Sequence, residues 1–93
     1  MIMTVNTLER TIFEKEEIRV IIRLPKYQET YYSYDYQRKV GDQATLNTFL
    51  ECRVYPLLEK IGLSKNHVEV IDGHGNFPHM HTKLDIIRSS YVK

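Results

Sequence analysis

One cysteine stands in the 93-residue sequence, at Cys52, so no disulfide can close within the chain. Small secreted domains usually offset a modest core with several disulfides, and the lack of a pair points to a reducing, cytoplasmic setting. Neither sign of charge dominates: 13 Lys and Arg stand against 12 Asp and Glu, a formal net charge of +1. That balance supports neither a basic nucleic-acid coat nor an acidic mimic of nucleic acid. Glycine and proline are scarce, at four and three residues, and with 42% hydrophobic and 27% charged residues the composition excludes a disordered or fibrous chain. No run approaches the roughly 18 consecutive apolar residues of a membrane span. Met1-Ile2-Met3-Thr4-Val5-Asn6 also lacks the basic start and apolar stretch of a secretory leader. The expectation is a chain without membrane association or a targeting segment.

The signatures of common chemistries are missing as well. There is no phosphate-cradling glycine loop, no Cys-x-x-Cys pair, no nucleophile elbow and no helical His-Glu-x-x-His. These absences weigh toward a non-enzymatic protein that needs no cofactor. A chain of this length has room for one domain, spanning residues 1–93, and shows no internal repeat.

Apolar periodicity supplies the positive reading. Ile18, Val20, Ile22 and Leu24 alternate along a β-branched stretch, the pattern of a half-buried strand ended by Pro25. Lys26-Tyr27-Gln28-Glu29 reads as a turn into a second alternating stretch, residues 30–40, so the two form an antiparallel hairpin. Ahead of them, residues 11–14 read as an edge strand or a turn of helix, with Thr4, Asn6 and Thr7 as caps. The acidic run Glu14-Lys15-Glu16-Glu17 reads as a solvated turn. From Thr45 onward Leu46, Phe49, Leu50, Val54, Leu57, Leu58 and Ile61 follow helical spacing. Pro56 kinks that helix near Cys52, and Gly62 with Leu63 closes it. Residues 67–72 and 83–88 read as two further strands. The expected fold is thus α+β: a four-stranded, mostly antiparallel sheet in ββαββ order, with one kinked amphipathic helix on one face. One helix leaves the other face bare, to be solvated, paired in a homodimer or used for binding.

Two clusters carry chemistry. Tyr31, Tyr32, Tyr34 and Tyr36 crowd one predicted strand. With Tyr32, Tyr34 and Tyr36 facing outward beside Arg19 and Arg23, they would form a stacking platform for single-stranded RNA or DNA. The alternate positions Ser33, Asp35, Gln37 and Lys39 are polar, however, which favours the tyrosines pointing inward. The open face then carries Arg19, Ile21 and Arg23 opposite Tyr31 and Asp35, residue types suited to a protein contact. The alternative to a protein contact is that Arg19 or Arg23 simply pairs with Asp35 across the sheet.

The second cluster is Asp72, His74, His79 and His81, bracketing Gly73, Gly75 and Pro78. Folded as a tight hairpin it would place one carboxylate and three imidazoles together, a donor set that suits zinc or another transition metal in a hydrolase or nuclease. Loop exposure favours plain solvated histidines instead. Cys52, between Glu51 and Arg53, reads as a small semi-buried residue. The leading expectation is a small protein-binding or regulatory module acting through its sheet face or edge. Its partner would be a second copy or a larger machine that it inhibits, as the small inhibitors encoded by mobile elements do.

Overall fold

Val5, Leu8, Ile12 and Glu16 recur at separations of three and four, the spacing that lines one side of a helix. In a computed structural model of the chain, which describes residues 3–24, 29–30, 34, 36–60 and 62–91, they form the buried stripe of helix α1 (Val5–Glu16). Thr4 caps it, its hydroxyl accepting the Thr7 amide at 3.2 Å. The helix stops at Glu17, whose backbone turns left-handed (φ 59°) while its amide donates to the Phe13 carbonyl at 2.8 Å. Residues 11–14 are therefore helical, and the acidic run is the last turn of α1 rather than a solvated loop. Glu16 has no solvent exposure at all.

The reversal at Glu17 delivers the chain into strand β2 (Arg19–Ile22). A short strand β1 (Met3–Thr4) pairs with β3 (Glu29–Thr30), while β2 pairs antiparallel with β4 (Val68–Ile71), in the register Arg19↔Ile71, Val20↔Val70, Ile21↔Glu69, Ile22↔Val68. Two separate two-stranded ribbons thus replace the expected four-stranded sheet. Among the described residues β2 is laddered to β4 alone and Glu29–Thr30 to β1, so the hairpin expected between residues 18–24 and 30–40 is not found there. Val20, Ile22, Val68 and Val70 all fall on one side of the β2–β4 ribbon and are buried, whereas the tyrosine stretch has polar residues at its alternate positions. Tyr34 and residues 36–40 carry no ladder pairing, and the expected turn at residues 25–28 lies outside the described residues.

The long helix appears where its periodicity placed it. Helix α2 (Leu46–Phe49), a π-helical turn (Leu50–Val54) and helix α3 (Tyr55–Lys60) run on without a break. Proline lacks an amide and its ring crowds the carbonyl four residues back, here that of Cys52. The chain answers with the wider turn ahead of Pro56, in which the Tyr55 amide reaches the Leu50 carbonyl. At the end Gly62 adopts φ 81°, its amide donates to Glu59 at 3.1 Å, and the Leu63 amide donates to Leu58 at 2.8 Å. This is the glycine-capped closure expected there.

The last element corrects a second expectation. Residues 83–88 are not a strand: helix α4 (Leu84–Ser90) buries Leu84 and Ile87 and leaves Ile86 60% exposed, so the buried positions follow helical rather than alternating spacing. Its start is fixed by the Leu84 amide donating to Ala44 at 2.9 Å and the Asp85 amide to Asp42 at 3.1 Å. Among the described residues, α1, the α2–α3 unit and α4 surround the inner side of the β2–β4 ribbon. Their apolar side chains, led by Phe49, Leu8, Ile12, Leu58 and Leu84, make one continuous core. A helix on one face of an open sheet was expected; three helical units around a narrow ribbon are found. None of the described helices is long and apolar enough to cross a membrane.

Candidate functional site

Because side chains alternate along a strand, the register that buries Val20, Ile22, Val68 and Val70 turns Arg19, Ile21, Glu69 and Ile71 to the opposite side of the ribbon. Arg23, just past β2, forms an ion pair with Glu69. The flank of α1 that carries Asn6, Glu9, Arg10 and Phe13 borders this outer side, and the Glu9 carboxylate accepts the Ile22 amide at 2.6 Å, satisfying a backbone donor that β4 does not reach. Between them lies a groove of about 420 Å³, lined by Asn6, Glu9, Arg10 and Phe13 of α1 and by Arg19, Ile21 and Ile71 of the ribbon. The Arg19 guanidinium sits 5.1 Å from the centre of the Phe13 ring, a cation–π placement. Phe13 in turn meets Tyr91 edge to face at 5.6 Å.

Tyr91 lines the adjoining recess, which shares Arg19 and Ile71 with the groove. Its hydroxyl donates to the Ile71 carbonyl at 2.5 Å and accepts the Arg19 amide at 2.9 Å, so the outermost pair of the ribbon is pinned from outside. Burial raises the Tyr91 pKa against the opposing pull of Arg19. Of the residues expected in a protein contact, Arg19 and Ile21 share this groove, and Arg23 is paired with Glu69. Tyr31 and Asp35 lie outside the described residues.

The stacking platform, the alternative reading of the tyrosine stretch, is not assembled by the tyrosines the structure describes. Tyr34 is 3% exposed and belongs to the core, its hydroxyl donating to Glu16 at 2.5 Å. Tyr36 is 40% exposed and lies under the Arg53 guanidinium at 4.2 Å, far in sequence and in partners from Arg19 and Arg23. Tyr32 lies outside the described residues.

The histidine loop is ordered by its own backbone. The Asp72 carboxylate accepts the amides of His74 at 2.9 Å and Asn76 at 3.0 Å, and these bonds, Asn76 first, hold its pKa below the ordinary carboxylate value. His79 and His81 sit with ring centres 5.2 Å apart, and His79 Nδ1 accepts the His81 amide at 3.2 Å. That bond occupies one of the two nitrogens through which His79 would bind a metal. Among the described residues no three His, Cys, Asp or Glu gather in a ligand set, so Asp72, His74, His79 and His81 are not brought together as the hairpin reading required. The hairpin is lost because α4, not a strand, follows the loop. Cys52 is exposed on the helix flank rather than semi-buried.

The charged cluster that sequence reasoning missed lies inside. Glu16 accepts from Arg53 Nη1 at 2.5 Å, from Tyr34 and from the Val40 amide at 2.8 Å, with Arg88 Nη2 3.7 Å away. Arg88 also donates to the Glu16 carbonyl at 2.8 Å and to Asp42 at 2.6 Å. Burial, then the Glu16 carboxylate, pushes the Tyr34 pKa far up. For Arg53 burial works downward, but Glu16 and Tyr34 outweigh it and leave the pKa raised. The signal was present in the stripe Val5, Leu8, Ile12, Glu16, whose continuation aims Glu16 inward. This cluster ties Tyr34, Val40 and Asp42 to α1, the π turn and α4, which is a structural task. Comparison with protein-family models, with curated proteins and with solved structures finds no match to this chain.

Proposed function

We propose that the protein is a small protein-binding module that acts by contact rather than by catalysis, with the outer side of the β2–β4 ribbon and the flank of α1 as its contact surface. The observation that carries the reading is the groove itself: Ile21, Ile71 and Phe13 supply apolar area, and Arg10 and Arg19 stand at its walls. Arginine and aromatic residues are enriched at the energetic centres of protein interfaces, where an apolar centre is ringed by polar groups. The surface is also firmly backed. Ladder pairing, the Glu9 bond to Ile22 and the Tyr91 bonds hold its walls before any partner arrives, which lowers the ordering cost of association. A chain of this size that binds in this way serves as a regulator or inhibitor of a larger assembly, or pairs with a second copy.

Affinity capture from native lysate, run with and without nuclease and with an Ile21→Asp variant beside the wild type, tests the reading. A protein retained after nuclease treatment and lost with the variant supports it. Retention that vanishes with nuclease favours nucleic-acid binding and overturns it.

A further inference from the structure

The charges of the groove narrow the kind of partner. Two guanidinium groups, Arg10 and Arg19, line it against one carboxylate, Glu9. Glu9 is turned onto the Ile22 amide at 2.6 Å and is engaged further, and its single charge leaves the lining with an excess of one positive charge. Among the described residues neither Arg10 nor Arg19 has an ion-pair partner; Arg19 meets only the Phe13 ring through its guanidinium. Of the other carboxylates nearby, Glu69 is paired with Arg23, and Asp72, in the adjoining recess that shares Arg19 and Ile71, keeps its charge but is turned onto two amides of its own loop. The outer side therefore offers apolar floor between two uncommitted cations.

Resting on the protein-binding reading above, we infer that the groove takes an acidic peptide segment of a partner protein, in which carboxylates flank an apolar side chain. The apolar side chain lies over Ile21 and Ile71, and the carboxylates meet Arg10 on the α1 wall and Arg19 on the ribbon wall. Arginine suits this role because its planar fork pairs with a carboxylate through two parallel hydrogen bonds. Phe13 beneath the Arg19 guanidinium holds that fork in place, which leaves less side-chain freedom to be lost on binding. A second copy fits less well, since the groove would then meet another pair of arginines under two-fold symmetry.

The test is a titration of the isotope-labelled full chain, followed by amide resonances, with three probe heptapeptides: alternating Asp and Leu, alternating Lys and Leu, and alternating Asp and Ser. Saturable shifts at Arg10, Arg19, Ile21 and Ile71 with the Asp–Leu peptide alone are expected. Arg10→Glu should weaken the affinity at least tenfold, the Arg10→Glu/Arg19→Glu pair should abolish it, and raised salt should weaken it further. Both positions are solvent-exposed, and circular dichroism of each variant confirms that the fold is kept. No saturable binding, equal binding of the Lys–Leu peptide, or indifference to charge reversal overturns the inference. So does a single-stranded oligonucleotide that produces the same shifts. If a captured protein partner survives nuclease yet binds the charge-reversed variant as well as the wild type, the acidic-segment inference fails while the protein-binding reading stands. Loss of every protein partner removes both.

Discussion

Arg53 Nη1 stands 2.5 Å from Glu16 Oε2, joining the π turn of the long helix to the last residue of α1 through a carboxylate with no solvent exposure. A buried carboxylate is tolerable only when its lone pairs are met, and here Arg53, Tyr34 and the Val40 amide meet them. The arrangement explains how Tyr34 and Val40 are held against the core without a ladder of their own.

Glu16→Ala is expected to cost about 3–5 kcal/mol, the range for removing one member of a buried ionic group and stranding the others. Arg88, 7% exposed at its side chain, and Arg53 would be left facing a void. Urea unfolding monitored by circular dichroism measures the loss. A change below about 1 kcal/mol would show that the cluster behaves like a surface pair.

Alkaline stability follows from the Tyr34 pKa. An unfolded tyrosine releases its proton near pH 10. In the folded chain burial, and after it the Glu16 carboxylate, disfavours the phenolate and holds the proton to higher pH. Above about pH 10 the unfolded state binds fewer protons than the folded one, so stability is complete below that point and falls as pH rises, by at most about 1.4 kcal/mol per pH unit for this group. Tyr34→Phe should flatten the decline between pH 9.5 and 11.5, read from urea midpoints. Identical slopes for wild type and variant would rule out Tyr34 as the source.

What was legible in the sequence tracks how far the determining interactions reach. The helix over 45–62 spans several turns, so its phase survived even the insertion forced by Pro56, and Gly62 with Leu63 closed it as expected. The strand at 67–72 and the core of the strand at 18–24 were also legible from β-branched residues. Residues 83–88 were not, since Leu84, Ile86 and Ile87 in so short a stretch fit period two nearly as well as helical spacing. The pairing of β2 with β4 rather than with its sequence neighbour depends on which partner fills the inner side. Tyr34 was placed inward correctly, but by alternation along a ladder that neither Tyr34 nor residues 36–40 join; its hydroxyl bond to Glu16 is what holds it. Arg19 and Ile21 were assigned to an outward side correctly, whereas the α1 wall of their groove was invisible while residues 11–14 hung between strand and helix.

Gly73 supplies a sharper test of the packing between the histidine loop and α4. A Cβ built there would lie 1.8 Å from the Ser90 carbonyl oxygen and 2.8 Å from the Tyr91 Cα, both backbone atoms that cannot rotate away. The Gly73 amide also donates to Ser90 Oγ at 2.8 Å. Gly73→Ala should therefore displace the end of α4 and cost about 2–3 kcal/mol, the upper part of the overpacking range. Gly41→Ala, with open space around its Cβ, is the control and should be near neutral. Thermal unfolding of the two variants side by side decides the matter, and equal melting temperatures would contradict the close approach.

Phe77 separates the two surfaces on which a partner would otherwise be sought. It is 62% exposed at the rim of a second recess, of about 320 Å³, lined also by Leu46, Leu50, Tyr55, Pro78 and Met80. Because most of its surface already meets water, Phe77→Ser should change the unfolding free energy by less than about 0.5 kcal/mol. The backbone around it is held independently, with Asn47 donating to the Met80 carbonyl at 2.9 Å and Leu46 to that of Thr82 at 2.8 Å. Binding of the Asp–Leu probe should be unaltered, since Phe77 does not line the groove of Arg10 and Arg19. If Phe77→Ser weakens the probe tenfold while stability holds, the contact surface lies on the loop and α2 instead, and the arginines are bystanders.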